Sequence, residues 1–437
     1  MKFGTDGVRG VAHEELTTEF AARLARAASR VLGADGCSTV VIGGDTREST
    51  QAFDDALTDG FAASGVDVVR MGVASTPVVA FEAQRRGAMG AVVSASHNVW
   101  SDNGIKLFAP GGTKLPDDVE AKIEAVIDAE FEDALAPGEV VVDRTFDAYG
   151  EHVLALLEGR DLAGLKVVLD VANGAAVDIA PDVLRATGAE VVVVADRPDG
   201  RNINDGCGAT HPEFVASKVV EHGADVGIAL DGDADRLIAV DHLGNVVDGD
   251  HIIAICATDL RDRGQLANDT VVVTVMTNLG FRLAMAGEAI EVVTTGVGDR
   301  YVLEALNAGG HSLGGEQSGH VIFSDHATTG DGLLTAIALL DVVQRAGRPL
   351  ADIAADAMTS LPQVLVNVRV GQRVPDVADR LAAEVAEIEG ELGDSGRVLL
   401  RASGTEPLIR VMVEAPTAEQ ARSAADRLAD VARARFV

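Results

Sequence analysis

Three times along the chain, short runs of mostly β-branched residues alternate with helix-length stretches and then give way to a cluster of polar side chains. The first set is Val40, Val41 and Ile42, then residues 66–69, then 91–93, and it ends at Ser94, Ala95, Ser96, His97 and Asn98. The second is Val167, Val168 and Leu169, then 191–194, then 226–230, ending at Asp231, Gly232, Asp233, Ala234, Asp235 and Arg236. The third is residues 271–273, 292–293 and 312–313, ending at Glu316, Gln317, Ser318, Gly319 and His320. Continuous rather than alternating apolar runs mark strands buried on both faces, with helices supplying the cover. The order therefore predicts three consecutive doubly wound α/β domains. In open sheets of this kind ligands gather beyond the carboxyl ends of the strands, so the three clusters are expected to converge on one site.

After Leu361 and Pro362 the pattern changes to a strand over 364–370, a helix over 374–392, strands over 398–401 and 409–413, and a closing helix from Thr417. A smaller C-terminal α+β domain is expected there. The expected domains are 1–148 with the serine loop, 149–246 with the acidic loop, 247–358 with the Glu316 loop, and 359–437. Thr17 or Thr18 should cap a first helix that stops at Gly33. An acidic helix between Pro110 and Gly138 should complete the first domain, and 147–160 should bridge into the second. At 437 residues the chain exceeds what one core usually serves.

The chain carries 36 Lys+Arg against 68 Asp+Glu, a formal charge of −32, which argues against nucleic acid or an anionic membrane as a partner. Acidic residues recur along the whole length, as on a heavily hydrated surface selected for high salt. No apolar run reaches the ~18 residues of a membrane span, and no basic-then-apolar leader opens the sequence, so a soluble, cytoplasmic protein is expected. Cys37, Cys207 and Cys256 lie far apart, in neither a zinc nor a disulfide pattern.

Alternating acids after a buried strand, Asp231, Asp233 and Asp235, can aim carboxylates at one hard cation such as Mg²⁺. An EF-hand is ruled out, because its sixth position would be Arg236 and its twelfth His242. Ser96 beside His97 reads either as an activated serine or as an ordinary polar turn. Arg401, Ser403, Gly404, Thr405 and Arg410 read as a phosphate cradle or as a surface turn of paired charges. Glu316 and Ser318, two residues apart, suit sugar hydroxyls. The Gly296-Val297-Gly298-Asp299-Arg300 stretch lacks the third glycine of a dinucleotide fingerprint, and no P-loop occurs, which weighs against nucleotide-dependent phosphoryl transfer.

Taken together and in order, from Phe3-Gly4-Thr5-Asp6-Gly7-Val8-Arg9-Gly10 to the Arg401–Arg410 loop, these clusters resemble the α-D-phosphohexomutase family over essentially the whole chain. The resemblance implies three α/β domains and a smaller fourth around one cleft. It implies that Ser96 is a phosphoserine and shares one Mg²⁺ with Asp231, Asp233 and Asp235. Arg9, His97 and Lys106 would assist the chemistry. Arg236, Gly298, Glu316, Ser318 and His320 would contact a sugar phosphate, with Arg401, Ser403, Gly404, Thr405 and Arg410 on its non-reacting phosphate. A hexose bisphosphate would prime the serine. Asn202-Ile203-Asn204, Cys207-Gly208-Ala209-Thr210-His211 and Gln317 look like the phosphoglucosamine mutase branch. Phosphomannomutase or phosphoglucomutase activity is the near alternative. A Mg²⁺ phosphatase and a non-catalytic sugar-phosphate-binding protein are the distant ones. One departure stands out: Val99 and Trp100 follow Ser-His-Asn where the family usually has proline, leaving φ unrestrained in that turn.

Overall fold

The computed structural model describes residues 2–4, 6–403 and 407–437. They form two compact units, one reaching to Met276 and including Ile290–Ala355, the other made of Thr277–Ala289 and Asp356–Val437.

The first unit contains three sheets. The first runs Val8–Val11, Asp102–Ala109, Met89–Val93, Thr39–Gly44, Asp67–Val73, Val140–Val142, with Thr113–Lys114 beside Asp102–Ala109. The second runs Val246–Val247, Leu237–Asp241, Val226–Leu230, Lys166–Asp170, Glu190–Val194, and the third Glu291–Thr295, Thr270–Thr274, Leu313–Gly315, Val321–Phe323. All nine apolar runs of the sequence are strands, and their mutual pairings are parallel. The first domain's acidic segment forms the helix Asp117–Val126, and Asp147–Leu154 forms the helix leading into the second sheet.

Each sheet repeats one device that the sequence does not announce. The strand that ends in a polar cluster is followed by an antiparallel return: Asp102–Ala109 after Met89–Val93, Leu237–Asp241 after Val226–Leu230, and Val321–Phe323 after Leu313–Gly315. The clusters are therefore the connections of these strand pairs, held at both ends by sheet hydrogen bonds. The return strands escape a search for apolar runs because two of them carry or adjoin functional polar residues and the third is three residues long.

Thr17 caps the first helix, Thr18–Leu32, its hydroxyl accepting from Phe20 N at 3.2 Å. That helix packs on Thr50–Ala63, where Gly60 lies so close to Ala22 and the fully buried Ala25 that a Cβ there would meet Ala22 O at 2.5 Å. Small side chains allow such close contact, which accounts for a large core built with few aromatic residues.

In the second unit, Gln363–Arg369, Leu408–Glu414 and Arg397–Ala402 form an antiparallel sheet covered by Ala418–Phe436, with Thr417 as N-cap. The helix expected over 374–392 is instead two, Val377–Arg380 and Ala382–Leu392, broken at Leu381 where φ is −114° and ψ 18°. The break brings Val377, Leu381 and Ile388 into one core. Helix Leu279–Gly287 joins this unit, its Leu279 N donating to buried Glu414 at 2.9 Å. Among the described residues no helix is long and apolar enough to cross a membrane. Cys37, Cys207 and Cys256 are free thiols.

Candidate active site

Strand Met89–Val93 delivers Ser96 into a buried loop in which the serine has φ +53°. The Ser94 hydroxyl fixes the turn, accepting from Ser96 N at 2.9 Å and donating to Asp45 Oδ2 at 2.6 Å. Ser96 Oγ donates to Asp231 Oδ2 of the second sheet at 2.6 Å and lies 3.2 Å from His97 Nδ1. Close approach of the two loops needs Gly232, where a Cβ would stand 2.5 Å from the Ser96 carbonyl oxygen.

The return strand of the first sheet supplies the charge. Lys106, opposite Val92, points its buried ammonium at Asp233 Oδ2 (2.7 Å), Asp235 Oδ2 (2.9 Å) and Asp6 Oδ2 (2.8 Å). Thr76 Oγ1 donates to Asp233 Oδ2 at 2.6 Å, and Arg9 and Lys114 both pair with Asp6. Lys114 also pairs with Asp299, at the start of the helix Asp299–Gly309 that follows strand Glu291–Thr295 of the third sheet. His320 completes the link, with Nδ1 3.7 Å from Asp235 Oδ1 and Nε2 3.4 Å from Asp299 Oδ2. Arg236 Nε sits 3.8 Å from Asp235 Oδ1.

Asp231, Asp233 and Asp235 are buried and place one carboxylate oxygen each within 4.8 Å of the others. Asp233 Oδ1 and Asp235 Oδ1 have no hydrogen-bond partner among the described residues. Orphaned buried carboxylate oxygens beside one another are what a hard divalent cation satisfies, so the donor set fits Mg²⁺. The electrostatics agree. Burial, then the charges of Asp235 and Asp233, push Asp231 up to about 8, so without a cation the trio cannot fully ionise. Burial is the largest influence on Asp235 and Asp6 too and opposes their charge, but Lys106 together with His320 and Arg236 for the first, and with Lys114 and Arg9 for the second, holds both well below the usual carboxylate range. Lys106, itself buried, is held well above its ordinary value by Asp233, Asp235 and Asp6. Burial and the cations of Arg236 and Arg9 bring His97 down to about 4, leaving its imidazole neutral at pH 7.

In the third sheet's loop, Glu316 Oε1 accepts from Gly298 N at 3.1 Å, and Ser318 Oγ lies 3.5 Å from Glu316 Oε2. Gly319 has φ +91°, and a Cβ there would meet Leu237 O at 2.1 Å, so only glycine lets this loop seat on the second sheet. In the second unit, Arg401 and Arg410 stand directly opposite each other in the sheet, and burial plus Arg410 lowers the pKa of Arg401. Like charges in register are unfavourable unless an anion lies between them. Ser403 is buried beside them, its N donating to Leu408 O at 2.8 Å. Gly404 and Thr405 lie outside the described residues.

The first unit thus brings together Arg9, Ser96, His97, Lys106, Asp231, Asp233, Asp235, Arg236 and His320, with Gly298, Glu316 and Ser318 grouped on its third sheet. Sequence reasoning gave no role to Asp6, Thr76, Lys114 or Asp299. A usable signal existed for Lys114, since the chain has six lysines and Lys106 and Lys114 stand eight residues apart beside the motifs.

Four domain models match the chain in order. Phosphoglucomutase/phosphomannomutase alpha/beta/alpha domain I covers residues 1–134, domain II 147–244, domain III 248–361, and the C-terminal domain 365–431. The chain belongs to this phosphohexomutase family. Within the family, a phosphoglucosamine mutase of Frankia alni is 55 % identical, the match covering 99 % of this chain and 98 % of that protein. One from Streptomyces griseus is 53 % identical, covering 99 % and 98 %. A crystal structure of a phosphoglucomutase/phosphomannomutase family protein from Burkholderia thailandensis superposes with a TM-score of 0.83 at 26 % identity, covering 98 % of this chain and 97 % of that one.

Proposed function

We propose that the protein interconverts glucosamine 6-phosphate and glucosamine 1-phosphate through phosphorylated Ser96 and a bisphosphorylated sugar. The observation that carries this reading is the 2.6 Å contact of Ser96 Oγ with Asp231, one of three buried carboxylates of which the other two each leave an oxygen orphaned. The choice of sugar rests on full-length relatives named for it at 53–55 % identity.

In the forward half-reaction the bond between Ser96 Oγ and phosphorus breaks, and a bond from phosphorus to the sugar's free hydroxyl oxygen forms. That hydroxyl's proton passes to a base and the departing Ser96 Oγ takes up a proton, so the serine is left as a free hydroxyl and the sugar carries two phosphates. In the second half Ser96 Oγ gives up its proton and bonds to the other phosphorus, and the sugar oxygen that this phosphoryl group leaves takes up a proton. Lys106 and Arg9 stay positive and stabilise charge on the transferring group, because phosphoryl transfer depends chiefly on placement and electrostatics. His97, neutral and 3.2 Å from Ser96 Oγ, is placed to take or return a proton. Asp231, Asp233, Asp235 and a Ser96 oxygen would hold Mg²⁺, which when bound neutralises charge on the phosphoryl oxygens. Arg236, Gly298, Glu316, Ser318 and His320 are the proposed sugar-phosphate contacts. Arg401, Ser403, Gly404, Thr405 and Arg410 are proposed to hold the non-reacting phosphate.

A trace of hexose bisphosphate would phosphorylate Ser96 at the outset. The setting we infer is a salt-rich cytoplasm, where the three free thiols stay reduced and the surplus of acids is screened.

The test incubates the protein with Mg²⁺, molar KCl, glucosamine 6-phosphate and catalytic glucose 1,6-bisphosphate, beside Ser96→Ala. Formation of the 1-phosphate by wild type alone is the expected result. Turnover of glucose or mannose phosphate with none of the amino sugar would overturn the substrate, and release of inorganic phosphate as fast as substrate disappears would overturn the mutase.

A further inference from the structure

The loop bearing Ser96 is gripped by two side chains to which the chemistry above gives no role. The Arg47 side chain is wholly buried and each of its three guanidinium nitrogens is hydrogen-bonded. Its Nε donates to Asp45 Oδ2 at 2.8 Å, its Nη2 to the carbonyls of Ser96 and Asn98, both at 2.9 Å, and its Nη1 to the carbonyl of Val99. From the second sheet's side, Asn204 Nδ2 donates to the same Ser96 and Asn98 carbonyls at 3.0 and 3.3 Å.

These contacts answer a local problem. Ser96 sits at φ +53°, a conformation that a non-glycine residue keeps only when its surroundings enforce it. Val99 imposes no ring constraint on the turn. The carbonyls of residues 96 and 98 accept from Asn204 as well as Arg47, and that of Val99 from Asp102 N as well, but the planar fork of Arg47 ties all three together where a point charge would not.

We propose that Arg47 and Asn204 form a carbonyl clamp that sets the position of Ser96 Oγ for phosphoryl transfer. Both are positioning residues, since neither touches the reacting oxygen. The inference rests on Ser96 being the phosphoryl carrier. Displacing a reacting atom by about 1 Å costs roughly a hundredfold in rate, so a clamp on the backbone carbonyl acts on turnover more than on substrate affinity.

The experiment measures how fast Ser96 acquires a phosphoryl group from glucose 1,6-bisphosphate with Mg²⁺, by intact-protein mass, together with kcat and KM. Arg47→Lys keeps a cation opposite Asp45 but lacks the fork. Asn204→Gly tolerates the φ of +56° at that site and removes the amide without exposing a buried charge. Phosphorylation rate and kcat should fall about 30- to 100-fold in Arg47→Lys and about 5- to 10-fold in Asn204→Gly, with KM within about threefold of wild type. Rates per folded molecule equal to wild type, with only the melting temperature lowered, would overturn the clamp. Should Arg47→Lys fail to fold, Asn204→Gly decides alone. Wild type that accepts no phosphoryl group would overturn the mutase reading and the clamp with it, whereas phosphorylated wild type with unchanged variants would overturn the clamp only.

Discussion

Ser96 donates its hydroxyl to Asp231 at 2.6 Å across 135 residues of sequence, joining the ends of two different sheets. Asp231 is also an acid whose ionisation is opposed first by burial and then by the charges of Asp235 and Asp233. The proposed nucleophile therefore sits against a buried acid that a cation would relieve, and loading the site and readying the serine are one electrostatic problem.

Metal removal should follow from this. Treatment with a chelator should abolish turnover, and adding Mg²⁺ at about a hundred times its dissociation constant should stabilise the protein by about 2.7 kcal/mol. Calorimetry of Asp233→Asn should show most of that gain gone. An equal gain in the variant would put the cation elsewhere.

Lys106→Met strips the cation shared by Asp6, Asp233 and Asp235 and takes from buried Asp233 the cation it pairs with. A loss of about 3–5 kcal/mol in urea unfolding is expected, with turnover reduced beyond detection. A variant of wild-type stability would mean that water reaches this cluster and screens it.

Tyr149 donates to both carboxylate oxygens of Asp331 at 2.9 Å, and Asp331 in turn caps helix Gly332–Ala346. Burial raises Asp331 to about 6, against the opposing hydrogen bonds from Leu334 N and Tyr149. A carboxyl with a raised folded pKa contributes stability at low pH that is lost as pH climbs through that value. Tyr149→Phe removes a donor to the charged form and should raise the pKa further. Its loss in stability should be about 1–3 kcal/mol at pH 8 and clearly smaller at pH 4. Equal losses at both pH values would show that Asp331 does not titrate in this window.

The charge of −32 implies mutual repulsion that salt relieves. Melting temperature should rise between 0.1 and 2 M KCl. No change over that range would remove the case for a surface adapted to high salt.

Much of the architecture was legible because buried parallel strands are written as uninterrupted Val, Ile and Leu runs, and the polar cluster after each third run marks where its sheet stops. The strands Asp102–Ala109 and Leu237–Asp241 were not, since Lys106 interrupts the first and Arg236 adjoins the second. The helix break at Leu381 was hidden for a different reason: 374–392 keeps helical composition, and the turn is imposed by a shared core.

The sequence by itself determined which side chains stand at the strand ends, because strand alternation and loop polarity are local properties. Only tertiary structure decided that Lys106 serves three carboxylates, that Lys114 reaches from Asp6 to Asp299, and that Arg47 holds the backbone of a loop some fifty residues away. Those pairings depend on how three sheets are stacked, and a charge in the sequence carries no mark of the partner that burial will give it.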